Sequence, residues 1–216
     1  LVRGVDAVVH AAAIPEPTKD LPHKVFLDNS AAVFHLLQAC TDHRVRRVVN
    51  LSSISVLGAA FAIRPFELAY CPVDELHPVA PQDPYALSKQ VGELLCDAAV
   101  RRSDLTCVSI RPSWVLWEGN ADRAAAFVGE PGPDTPFSSY VDYVDLYDLA
   151  DLVTATVESD TPGHEVVNAA AADNLGGRDL AGAVRYHHEH MKLRPIDRVA
   201  ASGISTAKAR RLLGWA

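Results

Sequence analysis

VDAVVHAAA, residues 5–13, is a short β-branched apolar run that ends in three small residues. A run of this kind without polar alternation marks a strand covered on both faces, the situation of a parallel sheet between helices. RRVVNLSS (46–53) and LTCVSIRPS (105–113) repeat the pattern. Between the first two lies a stretch over residues 22–43 with Val25, Phe26, Val33, Leu36, Leu37 and Cys40 at helical spacing, and a second over 83–102 separates the next two. Strand, helix, strand, helix, strand predicts an α/β, Rossmann-like, doubly wound parallel sheet built with right-handed crossovers.

Past residue 114 the pattern changes. GEPGPDTP (129–136) is turn-rich, residues 139–158 run from a short strand into a helix, and HEVVNAAA (164–171) is one more strand. A Gly-marked turn and helix follow in DNLGGRDLAGAVRYHHEH, and ISTAKARRLLGW (204–215) has a Ser/Thr cap ahead of a short basic helix. The expected division is 1–113 as part of a sheet domain. Residues 114–216 complete the sheet and form a small C-terminal lobe on the substrate side.

The chain has 216 residues, 49% of them hydrophobic, and a net charge of −7 with no basic stripe. A real core is affordable at this size, and neither nucleic acid nor an anionic membrane is an expected partner. No apolar stretch approaches the ~20 residues of a membrane span. Cys40, Cys71, Cys96 and Cys107 show no C-x-x-C pair and no metal-ligand spacing, so they read as reduced, mostly buried thiols of a cytoplasmic protein.

Chemistry is concentrated in DPYALSKQVGE (83–93), where an Asp-Pro helix start precedes Tyr85 and Lys89. Four residues apart on a helix, a phenol and an ammonium share one face. A fixed positive charge within ~4–6 Å favours the phenolate, which would make Tyr85 a proton exchanger for a substrate hydroxyl while hydride moves to or from a nicotinamide. Ser53, at the end of the second strand, is placed to hold the substrate oxygen. Ligands in such sheets sit beyond the strands' carboxyl ends. Ala11, Ala12 and Ala13 lie there and let a flat cofactor approach the backbone, and Pro112 fixes φ where the third strand ends.

Other candidates read more plainly. HHEH (187–190) has metal-ligand residue types but no supporting Cys/His cluster, and a solvated helix face is the favoured reading. Asp142, Asp145 and Asp148 suit turns and helix caps, and His10 suits a structural hydrogen bond. Trp114 and Trp117 either wall a substrate pocket or cover the core. Arg111 is open between holding an anionic group and pairing with a nearby acid.

Taken in order, DAVVHAAA, DNSAAVFHLLQAC, VVNLSSISVLG, PVDELHPVAPQDPYALSK and SIRPSWVL resemble the extended short-chain dehydrogenases/reductases of the NAD-dependent epimerase/dehydratase type. The resemblance implies an enzyme that uses NAD, with NADP possible, on a secondary alcohol of a sugar or nucleotide sugar. It implies catalysis by Ser53, Tyr85 and Lys89, with Ser52 and Ser55 as substitutes for Ser53. Ala11–Ala13, Asn29, Ser52, Tyr85, Lys89, Pro112 and Ser113 would surround the cofactor, and Ser53, Tyr85 and Trp114 the substrate. It further implies a homodimer through helices 22–43 and 83–102. One departure is Leu57, where the family usually has Tyr. A larger one is that the glycine-rich phosphate turn and the first βαβ units are not in the sequence, so the chain reads as starting at the fourth strand, about 60 residues into such a fold. A simple alcohol or carbonyl reductase, or a non-catalytic dinucleotide sensor, are the rival readings.

Overall fold

The apolar runs pair in parallel, but the first is not covered on both faces as expected, since Val5 and Val9 are 40% and 44% exposed. In the structure, a computed structural model that describes residues 2–64, 67–128, 142–187 and 190–215, the chain opens with β1 (Ala7–His10), α1 (Pro22–Asp42), β2 (Arg47–Leu51) and β3 (Tyr70–Cys71). It continues through α2 (Pro84–Arg102), β4 (Thr106–Pro112), β5 (Trp114–Leu116), α3 (Ala121–Val128) and β6 (Tyr143–Asp145). Then come α4 (Leu146–Glu158), β7 (His164–Ala169), α5 (Leu180–His187), β8 (Lys192–Leu193) and α6 (Ala207–Leu213). The main sheet has the order β1-β2-β4-β7, every pair parallel.

Each sheet face buries its own core. On one side Val48 and Cys107 meet Val33, Leu37 and Cys40 of α1 and Cys96 and Ala99 of α2. On the other, Val49, Val108, Ile110 and Val167 meet Leu149 and Leu152 of α4 and Ala209 of α6. A third cluster joins Leu57, Leu68, Cys71 and Val73 to Leu180, Val184, Met191 and Ile204, held by the short β3–β8 pair. Thus residues beyond 113 complete the sheet through β7, and the third cluster draws on both sides of residue 113. All four cysteines are free and buried. Leu57, at the family departure, is 4% exposed within the third cluster, and Gly58 closes its turn at φ 95, a left-handed backbone that favours glycine.

Local details differ from the sequence expectations. Thr206 stands at the N-cap of α6 but makes no side-chain cap bond; the Ser205 hydroxyl accepts from Ala207 N–H at 3.4 Å instead. Asp145 does cap α4, accepting from Tyr147 N–H at 2.7 Å. Asp142 is not a helix cap: it accepts from the Ser202 hydroxyl at 2.6 Å and Gly203 N–H at 2.7 Å, pinning the segment before α6 to the start of β6. GEPGPDTP and the central His188 and Glu189 of HHEH lie outside the described residues. Among the described residues there is no metal-binding cluster, and no helix is long and apolar enough to cross a membrane.

Burial pushes the Asp142 carboxyl up to about 6, against the pull of its two donors. A carboxyl raised in the folded state holds its proton where the unfolded chain has lost it, so stability falls as pH rises from about 4 to about 6. Asp142→Asn, which keeps the acceptor oxygen, is expected to flatten this slope in urea unfolding measured across that window.

Candidate active site

The position of Tyr85 is set by how α2 starts. The Asp83 carboxylate accepts from the backbone N–H of Tyr85 and of Ala86, both at 2.9 Å, and Pro84 occupies the first turn, where its missing N–H costs nothing. Tyr85 therefore enters in the first turn and Lys89 follows one turn later, beside the carboxyl end of β2.

There the three expected residues come together. The Ser53 hydroxyl lies beside the Tyr85 side chain, near enough to lower its pKa. Ser53 Oγ also accepts from Ser55 N–H at 3.1 Å and from the Ser55 hydroxyl at 2.8 Å. With both lone pairs engaged, its own proton remains to be offered to a neighbouring oxygen. Lys89 Nζ donates to the Leu51 carbonyl at 2.7 Å and lies 5.6 Å from the centre of the Tyr85 ring. Phe61 packs edge-on against that ring at 6.1 Å.

The electrostatics correct one expectation. Burial raises the Tyr85 pKa, and the neighbouring Ser53 hydroxyl is what opposes it; the Lys89 charge is not among the causes. Burial instead acts on Lys89, lowering its pKa to about 8. In this arrangement the phenol is the resting form of Tyr85, and the lysine is the group poised near neutrality.

The loop after β1 forms the facing wall. Ala11 and Ala12 are exposed and Ala13 half-buried. Asn29, 5% exposed, clamps this loop: its Oδ1 accepts from Ile14 N–H at 2.8 Å and its Nδ2 donates to the Ile14 carbonyl at 3.1 Å. The same Nδ2 donates to the Ser88 hydroxyl at 3.1 Å, joining the loop to the residue before Lys89. His10, Ala12, Ala13, Asn29, Asn50 and Lys89 share the lining of a small cavity. The His10 pKa is lowered by burial first and the Lys89 charge second, and no hydrogen bond to its ring is found among the described residues.

Two residues expected at the cofactor are otherwise engaged. Ser52 is 2% exposed and its hydroxyl donates to Glu93 Oε1 at 2.6 Å, so its side chain faces the interior under α2 rather than this cavity. Ser113 gives both its N–H, at 2.9 Å, and its hydroxyl, at 3.1 Å, to the Ala169 carbonyl. Pro112 is half-buried at the end of β4, in register with Ala169. Trp114 is half-buried on β5 and Trp117 is 49% exposed. Arg111 resolves toward an acid: it forms a two-pronged pair with Glu93, Nε to Oε1 at 2.8 Å and Nη2 to Oε2 at 2.7 Å. Glu93 escaped sequence reasoning, although its position four residues after Lys89 was a usable signal.

A parallel sheet with helices on both faces, and polar side chains gathered beyond the strands' carboxyl ends, is the architecture of the Rossmann-type α/β fold. The family model described as the NAD dependent epimerase/dehydratase family matches residues 1–170, and the chain belongs to that family. It is similar to a uronate dehydrogenase of Pseudomonas syringae, 33% identical over 112 residues, 51% of this chain and 37% of that protein. It is also similar to a dTDP-glucose 4,6-dehydratase of Streptomyces niveus, 34% identical over 113 residues, 51% of this chain and 31% of that one. The match thus spans about a third of these relatives' length. In fold it is similar to the UDP-glucose 4-epimerase of Bifidobacterium longum in complex with NAD+ and UDP. The TM-score is 0.69 at 22% identity, covering 99% of this chain and 72% of that structure.

The lowered lysine can be observed directly. With 13C-labelled lysine, the Lys89 Cε resonance is expected to titrate with a midpoint near 8, against an ordinary lysine value of 10.5. A midpoint at the ordinary value would show that the ammonium is solvated.

Proposed function

We propose that this chain carries the proton-transfer centre of an NAD-dependent oxidoreductase or epimerase that acts on a secondary alcohol of a sugar or nucleotide sugar. The meeting of Ser53, Tyr85 and Lys89 in one cluster beyond the carboxyl end of β2 carries the reading. Similarity to a uronate dehydrogenase and a dTDP-glucose dehydratase supports the sugar class. Residues 1–113 are read as the cofactor side and 114–216 as the segment that completes the sheet and forms the substrate-side lobe.

The residues present fit the nicotinamide–ribose side of NAD. Ala11 and Ala12 are small and exposed, leaving the backbone open to a flat ring, and Lys89 spends one N–H on Leu51 with two more for a ribose hydroxyl. Pro112, half-buried at the end of β4, would border the same space. When bound, NAD supplies the hydride acceptor. Tyr85 Oη exchanges the proton of the substrate hydroxyl, and Ser53 donates to the substrate oxygen as it gains carbonyl character. Lys89, whose charge does not act on the resting phenol, serves in this reading by holding the cofactor ribose.

The partner is read as a second copy. Leu27 and Phe34 on α1, and Leu87 and Leu94 on α2, lie seven residues apart on each helix and are 42–58% exposed, giving two apolar stripes on packed neighbours. Phe34→Glu with Leu94→Glu is expected to convert a dimer to a monomer in sedimentation equilibrium; an unchanged mass would remove these helices as the interface.

The chemistry is tested with Tyr85→Phe in the intact protein, assayed with NAD and with UDP-glucose or a free hexuronate. Turnover is expected to fall by ~10²–10⁴-fold with NAD affinity retained. Product analysis assigns the reaction, since epimerisation regenerates the cofactor and oxidation consumes it. Full turnover by the variant would remove Tyr85 from the mechanism.

A further inference from the structure

Glu93, Arg111 and Ser52 form a buried polar unit that the proton-transfer reading does not use. The Glu93 and Arg111 side chains are 9% and 6% exposed. Glu93 Oε1 accepts from both Ser52 Oγ and Arg111 Nε, and Oε2 accepts from Arg111 Nη2. Arg111 Nη1 is buried without a hydrogen-bond partner among the described residues, so the guanidinium is aimed at the carboxylate at the expense of its third arm.

Three successive strand-end residues thereby bind three residues of one helix stripe. Leu51 takes the Lys89 ammonium, Ser52 bonds Glu93, and Ser53 lies beside Tyr85. Tyr85, Lys89 and Glu93 are spaced i, i+4, i+8, about 6 Å of helix rise per step. The middle strand residue is thus pinned by Glu93, the buried member of the three. The third segment of the site is tied to the same carboxylate, because Arg111 directly precedes Pro112 and Ser113, and Ser52 N–H donates to the Ile110 carbonyl at 2.8 Å.

For stability alone this unit is a poor investment, since well-packed apolar residues in place of a buried ion pair are commonly as stable or more so. A two-pronged pair does supply direction: it fixes orientation as well as distance. We infer that Glu93 and Arg111 are positioning residues. Through Ser52, their pair sets the separation of α2 from the end of β2 at which Tyr85, Lys89 and Ser53 meet. The inference rests on the proton-transfer reading above for its effect on turnover, but not for its effect on geometry.

The test uses the intact protein with Glu93→Leu/Arg111→Met, which removes both charges and strands neither, beside Ser52→Ala and Tyr85→Phe. Four readouts are taken: the thermal midpoint, kcat and KM with NAD and UDP-glucose or a hexuronate, amide exchange over residues 51–58, and the Lys89 Cε titration. The double variant is expected to stay folded with kcat lowered about 10–100-fold and KM little changed, the scale of an ångström of misplacement. Amide exchange over 51–58 should quicken, and the Lys89 midpoint should move from about 8 toward its ordinary 10.5 as water reaches the ammonium. A folded double variant with kcat, exchange and lysine titration all unchanged overturns the inference. Should the double variant not fold, Ser52→Ala decides by the same readouts, with a smaller expected loss of about threefold to tenfold, and unchanged values overturn it. If Tyr85→Phe turns over normally, the catalytic reading fails by itself, and exchange and titration still decide the positioning.

Discussion

One carboxylate, that of Glu93, sits where α2, β2 and β4 converge, and the geometry of the site depends on its being held there. It is reached from the strand by Ser52 and from the neighbouring strand by Arg111, and it lies one turn beyond Lys89. Removing a charge from water is costly, and three donors, Ser52 Oγ and Arg111 Nε and Nη2, offset that cost here. Such filling is directional in a way that apolar packing is not. A leucine tolerates small slips of its neighbours, whereas a carboxylate facing a guanidinium fork and a hydroxyl does not.

The face of the sheet under α1 and α2 changes character along its length. Toward the amino ends of the strands it is apolar, with Val48 and Cys107 against Leu37, Cys40 and Cys96. Toward the carboxyl ends it carries Asn50, Ser52, Ser109 and Arg111, all buried. These are linked rather than stranded: Asn50 donates to Ser109 at 3.2 Å, and Ser109 lies 2.9 Å from His164, which in turn contacts Asp97 at 2.7 Å. The apolar end supplies the stability that lets the polar end be organised for ligands, which is why strand ends rather than strand middles carry the chemistry in this architecture.

The site residues occupy loops and helix starts whose positions are over-determined. Asn29 bonds both backbone groups of Ile14 and reaches Ser88, so the alanine loop and α2 cannot shift independently. Asp83 fixes the first turn of α2, and Ser53 orders the turn after β2 through two bonds to Ser55. Asp83 and Ser53 act within one segment, whereas Asn29 joins the alanine loop to α2 and Glu93 joins α2 to β2 and β4.

Periodicity alone marked the strands, the two long helices and their order, because burial on two faces or on one stripe leaves its trace in every residue of an element. The four-residue spacing of Tyr85 and Lys89, and the serine at the end of β2, were legible for the same reason: a helix repeat and a strand end are local facts. Long-range pairing left no such trace. Ser52 and Ser53 are adjacent and chemically alike, yet one turns inward to Glu93 and the other outward to Tyr85, because successive residues on an extended chain face opposite ways and only the packed helix decides which side is the site. The direction of the pKa shifts was hidden too, since it depends on how much water each group loses, and burial is a property of the folded whole.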